Sequence, residues 1–272
     1  MIALHPQHST EQDPVRRILE EPVSASRLNL FHSCRMKFYF RYILRWNKPA
    51  SPALHVGKAV HSVLQEWSKR RWMGKPAQSE DLLAHFNNYW LVSLEEEPVV
   101  FDEGQEPQEK QKAWALIETY LRETPIPTDE KPMGVEVSVE RDLAEHGLPS
   151  LRGIIDLVRS NGLIVDFKTS ASSPDPDQAW HRNLVQLTCY GLLYRESTGE
   201  PESGFEMHHL VKTKTPRLVV TRHPSITEEQ QSRLFRSIES YVSGIQREDW
   251  VRSPGLQCGS CEFFSECQGG VL

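Results

Sequence analysis

No stretch of this sequence approaches the roughly eighteen consecutive apolar residues that a membrane-crossing helix needs. Its first residues, Met-Ile-Ala-Leu-His-Pro, have neither the basic start nor the apolar core of a signal peptide. A cytoplasmic protein is therefore expected. Positive charge is not in surplus either, with 31 Lys and Arg against 37 Asp and Glu and a formal net charge of -6. That excludes a protein that coats nucleic acid by bulk electrostatics, and any phosphate contact must come from local patches. There is no internal repeat, no low-complexity tract and no G-x-x-x-x-G-K-[ST] loop, so the chain does not itself hydrolyse ATP through that motif. Cysteine is scarce, at Cys34, Cys189, Cys258, Cys261 and Cys267. In a reducing compartment that uneven spacing suggests ligands rather than disulfides.

What remains is the profile of an ordinary globular chain, 272 residues with 38% hydrophobic and 25% charged residues. Residues 1–22 are polar and interrupted by Pro6, Pro14 and Pro22, and read as a loosely held tail or short peripheral helix. Residues 23–272 read as one elaborated domain. Apolar spacing predicts helices over 54–72, 79–94 and 110–122, with an exposed acidic loop at 95–112 marked by Pro98 and Pro107. Strands follow at 134–141, 150–158 and 163–168, the last two joined by the Ser160-Asn161-Gly162 turn. A long helix over 176–196 starts from an Asp175 cap and Pro176. Strands at 204–212 and 217–222 come next, then a helix over 227–247 opened by a Thr227/Gln230 capping box.

The chemistry concentrates on the central hairpin. Alternate strand side chains share a face, so Asp166 and Lys168 point together, and the turn places Asp156 opposite Asp166 to within about one residue. Two acids at that separation can share a divalent cation, and an ammonium beside them can orient or activate a nucleophile for phosphodiester hydrolysis. The plain alternative is a surface salt bridge, which D-x-K triplets often form. The apolar runs Gly153-Ile154-Ile155-Asp156-Leu157-Val158 and Leu163-Ile164-Val165-Asp166-Phe167 weigh against it, because carboxylates in such runs have a reason to be there. His61, at the edge of an apolar helical stripe, could add a nitrogen ligand or be a satisfied boundary histidine. Gln186 and Tyr190, one helical turn apart, could reach a phosphate or the active-site water, or simply pack.

In order and spacing, Gly57-Lys58-Ala59-Val60-His61, Gly153-Ile154-Ile155-Asp156, Val165-Asp166-Phe167-Lys168-Thr169 and Gln186-Leu187-Thr188-Cys189-Tyr190 resemble the motifs of the PD-(D/E)XK nuclease superfamily, in its RecB-like exonuclease branch. The resemblance spans about Ser24 to Cys267. It implies an α/β, restriction-endonuclease-like fold, a central mixed sheet flanked by helices. It further implies His61, Asp156 and Asp166 as metal ligands, Lys168 as the catalytic lysine, and Gln186 and Tyr190 as a DNA-proximal pair. Glu136 resembles an acidic residue that precedes the core motifs in this branch.

Cys258-x-x-Cys261 with Cys267, and Cys34 far upstream, is similar to the four-cysteine pattern of the iron-sulfur members, AddB-type nuclease domains and CRISPR-adaptation exonucleases. There a [4Fe-4S] cluster joins the two chain ends. Four thiolates also suit structural zinc. In this sequence Arg35 follows Cys34, where many relatives have proline. Cys189 is set aside as a buried apolar thiol. Around Cys34, Phe31, Phe38, Tyr39, Phe40, Tyr42 and Trp46 interleave with Arg27, Arg35, Lys37, Arg41 and Arg45. Such a stretch either grips single-stranded nucleic acid or packs its aromatics inward with the basic groups solvated.

The expectation is thus a DNA exonuclease acting on single-stranded ends, with Mg²⁺ or Mn²⁺ for chemistry and an iron-sulfur cluster for integrity, serving repair, recombination or defence. Any helicase or CRISPR-adaptation partner would be a separate chain. The rival is a non-catalytic DNA-end-binding or interaction subunit of such an assembly.

Overall fold

The computed structural model describes residues 13–269, so most of the expected tail, residues 1–12, lies outside the described residues. In chain order the elements are α1 (Pro14–Glu20), α2 (Ala25–Ser33), α3 (Arg35–Phe38), which runs on as a π-turn through Ile43, α4 (Pro52–Trp72), α5 (Ser79–Glu96) and α6 (Gln105–Glu123). There follow β1 (Gly134–Arg141), β2 (Leu151–Val158), β3 (Ile164–Ser170), α7 (Pro176–Thr198), β4 (Phe205–Val211), β5 (Arg217–His223), α8 (Glu228–Gln246) and α9 (Phe264–Cys267). They fall into two compact units, one of residues up to 48, 140–152 and from 232 on, the other of residues 49–139 and 153–231. No described helix is long and apolar enough to cross a membrane.

The first unit is built on aromatic contacts. Phe31, Phe38 and Tyr241 meet edge to face with ring centroids 5.2 to 5.7 Å apart, the geometry that ring quadrupoles favour. Gly244 on α8 admits Phe31, since a Cβ there would stand 2.6 Å from the ring. Val23 pairs with the start of β2, its N–H donating to Ser150 O and its carbonyl accepting from Arg152 N, both at 2.7 Å.

The second unit holds the sheet, whose strand order is β1-β2-β3-β4-β5. β2 and β3 are antiparallel, β3 and β4 parallel, and β4 and β5 antiparallel, so the sheet is mixed. Two parallel neighbours need a crossover, and α7 supplies it. α7 starts where the sequence placed it, with Asp175 Oδ1 accepting from Gln178 N at 3.0 Å and Pro176 at the first helical position. The capping box before α8 is also present, as Thr227 N donates to Gln230 Oε1 at 2.9 Å and Gln230 N to Thr227 Oγ1 at 3.2 Å. The core against α4, α5 and α6 includes Val60, Leu64, Trp90, Tyr120 and Phe167, each 2% exposed or less.

One expected loop is mostly helix. The acidic stretch 95–112 is cut short by α5 running to Glu96 and α6 starting at Gln105. Pro107 does not prevent this, because it sits in the first turn, where backbone N–H groups have no intrahelical partner to lose. Gly104, in the left-handed region at φ 70°, turns the chain into that helix.

β4 carries a buried polar network that no local pattern announced. Tyr120 Oη donates to His208 Nδ1 at 3.1 Å, and His208 Nε2 donates to Glu206 Oε2 at 3.1 Å. Glu206 also accepts from Arg159 Nη1 at 3.3 Å and Arg222 at 2.9 Å, and Arg159 grips Glu130 with Nε and Nη2, one edge of its guanidinium. Burial alone would raise the Glu206 carboxyl, but His208 and the two arginines outweigh it and hold it at about 2. Burial lowers His208 in turn, so a neutral ring that donates to Glu206 and accepts from Tyr120 satisfies every atom.

A carboxyl depressed in the folded state contributes stability above its unfolded value near 4.5, and that contribution is lost as pH falls toward about 2. Glu206→Gln should therefore destabilise the protein at neutral pH by about 3 kcal/mol or less, part of the network being screened through the exposed Arg222. The gap from wild type should close on acidification below pH about 4.5 in urea titrations. Parallel pH profiles for the two proteins would contradict this account.

Candidate active site

β2 and β3 pair through Leu157 with Val165 and Val158 with Ile164. One residue further on, the rung is made by a side chain instead of the main chain, with Phe167 N donating to Asp156 Oδ2 at 2.9 Å. The ladder pairing of the two strands stops here, between Leu157–Val165 and the two carboxylates. The turn that starts the hairpin is fixed by Gly162, at φ 78° and close under Tyr194, where a Cβ would meet Oη at 2.8 Å. Asn161 Oδ1 accepts from Leu163 N at 3.2 Å and completes the turn.

Asp166 is only 1% exposed. Burial raises its carboxyl, Lys168 opposes that rise and Asp156 adds to it, and the net shift is upward. Lys168 Nζ donates to Asp166 Oδ1 at 3.2 Å and to Gln186 Oε1 at 2.9 Å, and Gln186 Nε2 donates to Asp166 Oδ1 and to Tyr190 Oη at 2.9 and 2.8 Å. Gln186 thus fixes the lysine and the carboxylate together. Asp166 Oδ2 lies 2.9 Å from Lys168 Nζ but outside hydrogen-bonding geometry, so this buried oxygen has no hydrogen-bond partner. Burial pushes the Tyr190 hydroxyl well up, keeping it a proton donor.

His61 on α4 brings Nδ1 to 3.6 Å from Asp156 Oδ2. Burial alone would lower the imidazole, but Asp156 and Asp166 together raise it. A cavity of about 490 Å³ opens here, lined by His61, Phe167, Lys168, Thr169 and Glu136, with Lys58, Gln65 and Tyr89 from the helices. Glu136 is an exposed residue held at φ 52° inside β1. A non-glycine residue in that region stores strain, which gathers at functional sites.

All six residues singled out for chemistry, His61, Asp156, Asp166, Lys168, Gln186 and Tyr190, belong to the same unit and are joined by these contacts. Gln65 and Tyr89 escaped the sequence reading. Gln65 lies one helical turn beyond His61, a spacing that could have found it, whereas Tyr89 has no local signal. His209 was missed as well. It is the parallel-strand partner of Lys168, and burial first, then Lys168, lowers its imidazole to about 4.

The cysteines lie in the first unit. Cys34, Cys258, Cys261 and Cys267, all free thiols, line one cavity of about 290 Å³ with Phe40 and Phe263. Cys189 is buried on α7, and burial pushes its thiol up to about 12. The basic residues around Cys34 are paired with acids, Arg35 with Asp249, Lys37 and Arg41 with Glu262 and Lys48 with Glu266 from the C-terminal segment, and Arg27 and Arg45 with Glu21. The aromatics pack among themselves, Phe40 stacking on Trp46 at 5.0 Å and meeting Phe263 at 5.5 Å. Of the two readings of this stretch, inward packing is the one these contacts carry, with the basic groups paired to acids rather than merely solvated.

Among the described residues, no group of three or more His, Cys, Asp or Glu side chains is arranged to hold a metal ion. The donor chemistry is nevertheless apt at both places. Carboxylate oxygens with an imidazole nitrogen suit a hard divalent cation, and Asp166 Oδ2, which takes no hydrogen bond, is the oxygen best placed to face one. Four thiols around one cavity suit an iron-sulfur or zinc group.

Residues 22–268 match the family model of the PD-(D/E)XK nuclease superfamily. The chain belongs to that superfamily. The fold agrees with a solved structure from Eubacterium rectale described as a "putative exonuclease", 15% identical, with a TM-score of 0.63 over 100% of both chains. A second solved structure, SSO0001, is 13% identical with a TM-score of 0.39, covering 88% of this chain and 96% of its own. No curated protein matches the chain closely enough to count as a relative. A superfamily member that relies on Gln186 to seat Lys168 should slow when that bridge is removed. Gln186→Ala is expected to lower phosphodiester hydrolysis by roughly 10- to 100-fold with little change in oligonucleotide binding. Unaltered turnover would show that the bridge is incidental.

Proposed function

We propose that the protein is a metal-dependent deoxyribonuclease that works as an exonuclease on single-stranded ends. The observation that carries this reading is the hairpin, where Asp156 takes the Phe167 amide at the point at which the strands part and Lys168 is seated on Asp166 by Gln186. Asp156, Asp166 and His61 would hold Mg²⁺ or Mn²⁺, which when bound neutralises phosphate charge and acidifies a water. Lys168 spends two N–H bonds on Asp166 and Gln186. Its remaining N–H is left to orient the attacking water or a phosphate oxygen. Tyr190, protonated and in contact with Gln186, steadies the amide from behind.

Single-stranded ends are favoured by the cavity's make-up. It offers Tyr89 and the exposed Leu54 to bases and the remaining N–H of Lys168 to a phosphate, while Lys58 at its rim is paired with Glu97. The RecB-like branch, and a role in repair, recombination or defence alongside separate proteins, are part of the same proposal. So is residues 23–272 acting as a single nuclease domain in the cytoplasm. For the cysteine cavity we favour a structural [4Fe-4S] cluster, with zinc as its alternative.

Asp166→Asn and Lys168→Ala should each reduce Mn²⁺-dependent digestion of end-labelled single-stranded DNA on the order of a thousandfold, with an unchanged circular dichroism spectrum. Residual wild-type activity in both would end this assignment. Anaerobically purified protein should absorb in the visible and Cys34→Ala should bleach it, whereas a colourless protein carrying stoichiometric zinc would decide for the alternative.

A further inference from the structure

β3 and the residue that follows it present one face to two different cavities. Thr169 lines the catalytic cavity, and Ala171, the next residue on that face, lines another of about 330 Å³. That second cavity is ringed by Lys112, Lys212 and Lys214, with Glu109 and Leu116 from α6. Lys112 is occupied by Glu109 at 2.8 Å. Lys212 and Lys214 have no acidic partner among the described residues, in a chain whose net charge is -6.

The loop that carries these lysines is fixed in place. Lys212 N donates to Ser170 O at 2.8 Å, Thr213 N to Val211 O at 3.0 Å, and Thr213 Oγ1 to Thr215 O at 2.6 Å. The first of these bonds continues the parallel ladder in which Ser170 faces Val211, so Lys212 stands beside Ala171, three residues on from Lys168. At about 3.3 Å per strand residue that is roughly 10 Å. A stacked strand advances about 3.4 Å per nucleotide and an unstacked one more, so the two positions are at most about three nucleotides apart.

We infer that the Lys212/Lys214 cavity is a second phosphate subsite, holding the backbone of the same nucleic-acid strand within about three nucleotides of the bond at Lys168. This rests on the nuclease reading above. It makes the preferred substrate a strand that extends past the cleaved bond instead of a mononucleotide or dinucleotide. The lysines read charge and not sequence, so the subsite is indifferent to the bases it passes.

The test is equilibrium binding of fluorescein-labelled oligothymidylates in EDTA, so that nothing is cleaved. Wild type is compared with the Lys212→Ala/Lys214→Ala double variant and with a charge-matched Lys75→Ala/Lys131→Ala control. On strands of about 12 nucleotides the double variant should bind about tenfold more weakly, with a salt slope shallower by about 1.4, two contacts at ~0.7 each. On dinucleotides it should match wild type, and the control should match throughout. Equal affinity and slope on the long strand, an equal loss on the short one, or no binding by wild type would each overturn the subsite. Adding Mn²⁺ to wild type separates the two claims, because length-dependent binding without cleavage would overturn the nuclease reading and leave the subsite standing.

Discussion

The proposed catalytic arrangement depends on one hydrogen bond, from the Phe167 amide to the Asp156 carboxylate. A sheet normally satisfies such an amide with a carbonyl of the neighbouring strand. Here a side chain does so, and two things follow at once. The strands part beyond Leu157 and Val165, and Asp156 is held where they part. On the next strand Phe167 is anchored on the opposite face by Tyr120 and His208, with ring centroids 5.5 and 5.9 Å away. The buried network around Glu206 therefore supports the same backbone segment from behind.

Electrostatics then set what the gap can hold. Burying Asp166 is costly unless something compensates for its charge. Lys168 and Gln186 do so only in part, because one carboxylate oxygen keeps no hydrogen bond. A site that leaves a buried acceptor unsatisfied beside a second carboxylate and an imidazole is suited to a cation, and the upward shift of Asp166 expresses the same deficit. The cysteine cavity is arranged differently. Its surroundings are closed by ion pairs between residues 35–48 and 249–266, so charge complementarity already ties the two chain segments before any metal is considered.

Much of this was legible in the sequence because it is written locally. Asp175-Pro176 begins α7, Thr227 and Gln230 cap α8, and the Asn161-Gly162 turn aligns the acids, each through contacts spanning a few residues. The start of α6 was missed because Pro107 reads as a breaker until its place in the first turn is known. The rest was hidden for a different reason. His209 beside Lys168, the Lys212–Ala171 proximity and the Tyr120–His208–Glu206 chain all arise from the register of β3 on β4, and a parallel register set across a long crossover leaves no mark in local spacing. The partners of Arg35, Lys37, Arg41 and Lys48 lie more than two hundred residues away and were equally invisible.

The central claim is that the forked strands hold Asp156 and Asp166 as a cation site. Its most direct measurement is a Mn²⁺ titration of the metal-free protein followed by electron paramagnetic resonance, for wild type and Asp156→Asn. The account predicts saturable binding in wild type that is lost or greatly weakened in the variant, while circular dichroism shows both folded. Equal Mn²⁺ binding by the two proteins, or none by wild type, would contradict it.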